Sequence, residues 1–247
     1  MAAERAEEAV NLDLVKLPTR SGGTVAALDY EPRRPRSVGI AVGHGYSSSK
    51  HNLDSLCAFL ASHGFHVASI DFPGHKLGAS GGRLDRPEDL TDAMDAAVRY
   101  LREKYTPDVY ALGHSMGATT ALRTAADYPQ ILGAVSIATG YRRPAVVEGL
   151  AGKSFDLRAA YVNGLSLPEL AAQSEPLLEA ALPKLAGRPV LYVAAERDMM
   201  VSRRSVAELY ERAPEPKQLV TIDSDHTSAG ENSRAAVIAW LNERHAR

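Results

Sequence analysis

The string Gly113-His114-Ser115-Met116-Gly117 sets a serine between two glycines at the spacing G-x-S-x-G. The apolar run Val109-Tyr110-Ala111-Leu112 precedes it, and a helical pattern follows from about Met116 to Tyr128, stopping before Pro129. In that context the motif reads as a sharp strand-to-helix turn. Its flanking residues must be small, and its central residue takes a strained backbone that lifts Oγ above the strand end. A serine hydroxyl is a weak nucleophile and needs a general base. Among eight histidines, His226 lies in the polar loop Asp223-Ser224-Asp225-His226-Thr227-Ser228, after the last strand pattern. Loops at strand C-termini are where an open α/β sheet carries its functional groups. The base in turn needs an acid to fix its tautomer. Asp198, just beyond the strand pattern Val190–Ala194, is the preferred candidate, with Glu196 and Asp225 as rivals.

Serine attack on a carbonyl creates an oxyanion, which needs backbone donors. The first is the amide of Met116, the residue after the nucleophile. The second is assigned to the amide of Tyr46 in Gly43-His44-Gly45-Tyr46, a loop following the apolar run Val38–Val42. Glycine there lets the backbone approach a substrate closely. His44 reads as a ring that orders this loop by hydrogen bonding rather than one that transfers protons. The residues expected around the substrate are His44, Gly45, His114, Tyr141 and Arg142. The pair Arg142 and Arg143 reads either as a receptor for a carboxylate or as two solvated cations.

These loops need a scaffold, and the chain supplies one. Short β-branched runs at Val10–Leu17, Thr24–Tyr30, Ser37–Val42, His66–Asp71, Asp108–Leu112, Gly133–Ala138, Pro189–Ala194 and Lys217–Ile222 predict eight strands. The later ones are almost wholly apolar, as parallel strands covered on both faces must be. The first two alternate and are joined by Arg20-Ser21-Gly22-Gly23, which predicts an antiparallel hairpin at the sheet edge. Helices are predicted over Leu53–Ser62, from Pro87 onward, over Ser202–Arg212 and over Asn232–Arg244. Leu90, Met94, Ala97, Leu101 and Tyr105 give the second of these a buried face. The order predicts one α/β domain over residues 1–247, a mostly parallel eight-stranded sheet with helices on both faces. About fifty residues between Ala138 and Pro189 show no strand. Their leucines (Leu165, Leu167, Leu170, Leu177, Leu178, Leu182, Leu185) predict two or three short helices, a small cap over 141–187.

Composition bounds the function. The chain has 247 residues, 45% hydrophobic and 23% charged, with a net charge of −2. A nearly balanced chain has no footprint for nucleic acid or anionic lipid. A single cysteine, Cys57, cannot close an intrachain disulfide, which fits a reducing compartment. Its neighbours Leu53, Leu56 and Leu60 make it core packing. The charged N-terminus has no apolar core of a signal peptide, and no run is long enough to span a bilayer, so the expected location is cytoplasmic. His51, His63, His66, His75 and His245 lack metal-ligand spacing, so no metal and no cofactor are expected. The expected partner is a small-molecule acyl substrate; the oligomeric state is left open.

Taken in order, these motifs resemble the α/β-hydrolase superfamily over essentially the full chain. A strand leads to His-Gly-Tyr, a strand to Asp71-Phe72-Pro73-Gly74-His75, a strand to Gly-His-Ser-Met-Gly, then cap, strand and Asp198, strand and His226. The Asp71 segment with Gly78, Gly81 and Gly82 resembles the family's Asp-x-x-Gly-x-Gly. Within the superfamily the chain is most similar to small serine esterases, monoacylglycerol lipases and serine aminopeptidases. The resemblance implies an α/β-hydrolase fold and a Ser-His-Asp acyl-enzyme mechanism acting on a carboxylic ester, and the small size of the cap suggests a small to medium acyl group. Alternatives are a thioesterase, although that group usually has Gly-Gly-His where this chain has Asp225-His226, and a slow-turnover hydrolase-like receptor. A peptidase would need an acid for a substrate amine, which Glu148, Glu169 or Glu175 could supply.

Overall fold

The computed structural model describes residues 10–142, 145, 148 and 159–245. Arg143 and most of the expected cap before residue 159 lie outside the described residues. Eight strands form one sheet: β1 (Val10–Pro18), β2 (Thr24–Pro32), β3 (Gly39–Gly43), β4 (His66–Ile70), β5 (Val109–His114), β6 (Ile131–Ile137), β7 (Val190–Ala195) and β8 (Lys217–Ile222). Their spatial order is β1-β2-β4-β3-β5-β6-β7-β8. The pairs β1–β2 and β2–β4 are antiparallel, and every pair from β4 to β8 is parallel. The predicted edge hairpin is therefore present, with β1 outermost.

The α-helices that lie wholly within the described residues are α1 (Asp54–Ser62), α2 (Glu88–Lys104), α3 (Met116–Asp127), α4 (Leu167–Ala181), α5 (Arg203–Arg212), α6 (Ala229–Asn232) and α7 (Arg234–Arg244). Several boundaries differ from the sequence expectation. The helix expected from Leu53 is preceded by a 3₁₀ turn over Lys50–Leu53, and the last predicted helix is broken at Ser233. The strand leading to the serine runs on through Gly113 and His114, because the chain stays extended until the elbow itself.

The side-chain period of two builds both cores. On β5, Val109 and Ala111 face one apolar layer, with α2, α3 and α4, while Tyr110 and Leu112 face the other, with α1 and α7. On β7, Val190, Tyr192 and Ala194 face the first layer, and Leu191, Val193 and Ala195 the second. This two-sided burial makes the central strands rigid platforms for the loops at their C-termini.

Within the region read as a cap, α4 begins with a complete capping box between Ser166 and Glu169. Leu170, Leu178, Leu182 and Leu185 are buried in the same core layer as Ala121 and Leu122 of α3. These leucines therefore seat α4 and the turn that follows it on α3, the helix just after Ser115. Just before α4, Val162 bridges to His75 and Gly164 to Leu84. Gly164 has φ +130°, and a Cβ there would collide with the Leu84 carbonyl, so this contact needs glycine.

Candidate active site

Ser115 stands between β5 and α3 with φ 55° and ψ −116°, a conformation that costs a non-glycine residue about 1–3 kcal/mol. Its surroundings hold that strain in place. The Ser115 N–H donates to the Ile137 carbonyl at 2.8 Å, which ties the elbow to the end of β6. A Cβ on Gly113 would collide with the Gly117 carbonyl group, and one on Gly117 with the Gly43 carbonyl. The two glycines of the motif are thus required by backbone-to-backbone packing.

His226 reaches the serine from the loop between β8 and α6. Its Nε2 lies 3.1 Å from Ser115 Oγ, and its Nδ1 lies 2.7 Å from Asp198 Oδ2. Asp198 also accepts the N–H groups of Met200 at 2.8 Å and Val201 at 2.7 Å on its other oxygen. Its side chain is fully buried, and that of His226 is 11% exposed. Burial alone would raise the Asp198 carboxyl. The hydrogen bond from His226 and those from Val201 and Met200 outweigh it and hold the group below the usual carboxylate range. Asp198 therefore stays ionised and accepts the Nδ1 proton, leaving Nε2 free to accept from Oγ.

The rival acids are occupied elsewhere. Glu196 pairs with Arg203 at 2.9 Å on the surface. Asp225 accepts the Ser228 N–H at 2.8 Å, turning its own loop. Two of the acids considered for a substrate amine are likewise engaged. Glu169 closes the capping box, Glu175 accepts the Arg142 N–H at 2.7 Å, and Glu148 is exposed.

The structure brings Tyr46 and Met116 to the serine's side of the sheet. Met116 opens α3, where the first N–H groups have no partner within the helix. Tyr46 follows Gly45, and a Cβ on Gly45 would lie 3.5 Å from Ser115 Cβ. The phenol of Tyr46 donates to the Leu165 carbonyl at 2.9 Å, joining this loop to the segment before α4.

The remaining residues expected around the substrate are placed less directly. His44 and His114 are buried. The Phe72 N–H donates to His44 Nε2 at 3.0 Å, so His44 Nδ1–H donates to the Gly45 carbonyl at 2.7 Å. His114 Nε2–H donates to the His226 carbonyl at 2.7 Å. Both rings hold loops, one carrying Tyr46 and the other His226. Tyr141 packs its ring under Arg212, 3.9 Å from the guanidinium carbon, and its backbone pairs with Ser205. Tyr141 and Arg142 thus join the end of β6 to α5 and α4. Sequence reasoning missed the buried pair Lys50–Asp71, which lies directly behind the Tyr46 loop.

The two histidines carry a stability expectation. Burial, reinforced by neighbouring rings, pushes His114 down to about 4 and His44 down to about 3. An unfolded histidine titrates near 6.5. Between those values the unfolded chain binds protons that the folded chain refuses, so stability is full above pH 6.5 and falls on acidification. The pair contributes at most ~2.7 kcal/mol per pH unit between about pH 6 and 4. Urea midpoints measured from pH 7 to 4 should fall accordingly, and His114→Gln should flatten the slope. An unchanged slope in that variant would contradict the assignment.

Among the described residues no group of three or more His, Cys, Asp or Glu is placed to hold a metal ion, and no helix is long and apolar enough to cross a membrane. The elbow serine, the sheet order and the loops at the strand C-termini define an α/β-hydrolase fold. Residues 34–186 match the family described as "Serine aminopeptidase, S33", and the chain belongs to that family. A cutinase of Thermobifida alba is 29% identical over 126 residues, 47% of this chain and 38% of that protein. An esterase of Mycobacterium tuberculosis is 30% identical over 134 residues, 54% of this chain and 42% of that protein. The matches thus span less than half the length of these relatives. Among solved structures, a Pyrococcus furiosus esterase superposes with TM-score 0.71 at 20% identity, covering 99% of this chain and 97% of that one. The esterase domain of a Rhodothermus marinus protein gives TM-score 0.68 at 21% identity, covering 95% and 99%.

Proposed function

We propose that the protein is a serine hydrolase of carboxylic esters that works through an acyl-enzyme. The observation carrying this reading is the continuous hydrogen-bond chain from Ser115 through His226 to Asp198. The relatives named cutinase and esterase support the ester as substrate class. His226 Nε2 takes the Ser115 proton as Oγ attacks the ester carbonyl, and Asp198 stabilises the imidazolium that forms. The Met116 and Tyr46 amides hold the tetrahedral oxyanion. His226 then protonates the departing alcohol. A water molecule, activated by the same ring, releases the acid and restores the serine.

Residues 141–187 act in this reading as a small cap on a single domain. With α4 seated on α3, the Leu165 carbonyl accepts the Tyr46 phenol, so the half-buried Leu165 and Leu167 mark the end of α4 that this loop meets. They favour a small to medium acyl chain, each buried methylene contributing ~0.8 kcal/mol until the space is full.

The test has two parts. A fluorophosphonate probe should modify Ser115, located by peptide mass spectrometry. In a series of p-nitrophenyl esters from acetate to decanoate, kcat/KM should rise over the short chains and then fall. Modification at another residue would overturn the nucleophile. A flat profile, or one rising through decanoate, would overturn the cap's part in selecting the acyl group.

A further inference from the structure

The loop that carries Tyr46 leaves the end of β3 at His44 and returns to the sheet at Lys50. It contains Ser47 at φ 57°, a left-handed conformation that a serine does not adopt by preference. Such a loop holds one shape only when its ends are fixed. The two ends are fixed to adjacent residues just beyond the neighbouring strand β4, one to Phe72 and the other to Asp71. At the entry, His44 Nε2 accepts the Phe72 N–H. At the exit, the Lys50 N–H donates to Asp71 Oδ1 at 2.8 Å and Lys50 Nζ donates to Asp71 Oδ2 at 2.6 Å.

The exit anchor is built to be rigid. The Asp71 side chain is fully buried and that of Lys50 is 4% exposed. Asp71 Oδ2 also accepts the Ala79 N–H at 2.7 Å. A Cβ on Gly78 would collide with the Asp71 carboxyl group, so the chain closes tightly over it. Ser69 Oγ donates to the Lys50 carbonyl at 3.1 Å. Burial alone would raise the Asp71 carboxyl, but the hydrogen bonds from Lys50 and Ala79 outweigh it and keep the group below the usual range. A buried pair of this kind is weak evidence for stability but a good device for fixing geometry, because breaking it leaves a buried charge unpaired.

We propose that the Lys50–Asp71 pair is the anchor that sets the Tyr46 amide at oxyanion distance, making Lys50 a positioning residue for the transition state. The inference rests on the serine-hydrolase reading above. Lys50 touches neither substrate nor reacting atoms in this account. It acts through the four residues between itself and Tyr46's neighbour Gly45, in a loop whose other end is held by His44. A shift of the Tyr46 amide by a fraction of an ångström leaves the ground-state carbonyl almost unaffected. It weakens the hydrogen bond that strengthens only as charge develops.

The test compares Lys50→Met with wild type on p-nitrophenyl butyrate, with rates normalised to probe-reactive sites and measured well below each protein's melting temperature. The expected result is a fall in kcat of about tenfold to a hundredfold with KM nearly unchanged. A trifluoromethyl ketone that mimics the tetrahedral adduct should lose affinity by the same factor. Should Lys50→Met not fold, Lys50→Arg keeps the charge but lengthens the arm, and the same split is expected with smaller amplitude. A folded variant that loses thermal stability while keeping wild-type kcat and wild-type ketone affinity would reduce the pair to a structural tie and overturn the proposal. Ser115→Ala is run alongside. Retained hydrolysis there would sink the serine reading itself, whereas an inactive Ser115→Ala beside a fully active Lys50 variant sinks only the positioning role.

Discussion

Ser115→Ala should lower kcat by about a millionfold while leaving the fold and KM close to those of the wild type. The magnitude follows from the loss of the acyl-enzyme route. Alanine keeps the Cβ, so the elbow retains its φ of 55° and its tie to Ile137. His226 stays in place, because Asp198 holds its Nδ1 and His114 holds its carbonyl. Only Oγ is gone, and His226 Nε2 is left without a proton to take from a bound nucleophile. The residual rate comes from binding and the oxyanion donors, about 10³–10⁴-fold over water. Steady-state hydrolysis of p-nitrophenyl butyrate measures it directly. An Ala variant that keeps more than about one part in a hundred of the wild-type rate would mean that another group attacks the ester.

The central sheet was readable from the sequence because its physics is local. Strands buried on both faces must be apolar along their whole length, and Val190–Ala195 and Gly39–Gly43 show it. The elbow was readable because only glycine tolerates the backbone contacts that Gly113 and Gly117 make. The choice among Asp198, Glu196 and Asp225 was harder, since all three sit in loops at strand ends. What separates them in space is which carboxylate meets Nδ1, and that depends on the turn made when Met200 and Val201 donate back to Asp198. The Lys50–Asp71 pair was not legible. A lysine in a Ser-rich loop reads as solvated, and only the parallel pairing of β3 with β4 shows that it closes onto a buried carboxylate. The leucines of α4 were legible as an apolar surface but not as to what they cover, because a single helix pattern does not name its partner. In the fold they meet α3.

The same turn at Asp198 makes Asp198→Asn an informative substitution, with an expected loss of about 10⁴-fold in kcat and a nearly unchanged melting temperature. One carboxylate oxygen accepts two backbone N–H groups, from Met200 and Val201, and the other accepts from His226 Nδ1. An asparagine has one oxygen to offer. Turned toward the backbone, it satisfies both N–H groups and presents its NH₂ to His226. Turned toward His226, it leaves two backbone donors facing an NH₂, and the part-buried Val201 donor alone costs about 1–3 kcal/mol when unsatisfied. The backbone therefore wins, and the imidazole must accept at Nδ1. Its proton then moves to Nε2, the nitrogen 3.1 Å from Ser115 Oγ. A ring protonated there cannot take the serine proton, although every heavy atom stays where it was. Glu196→Gln and Asp225→Asn disturb only a surface ion pair and a loop turn, and each should stay within about threefold of wild type. Kinetics of the three variants on one ester, with melting curves for each, decide the matter. An active Asp198→Asn beside an inactive Glu196→Gln or Asp225→Asn would move the acid to that other position.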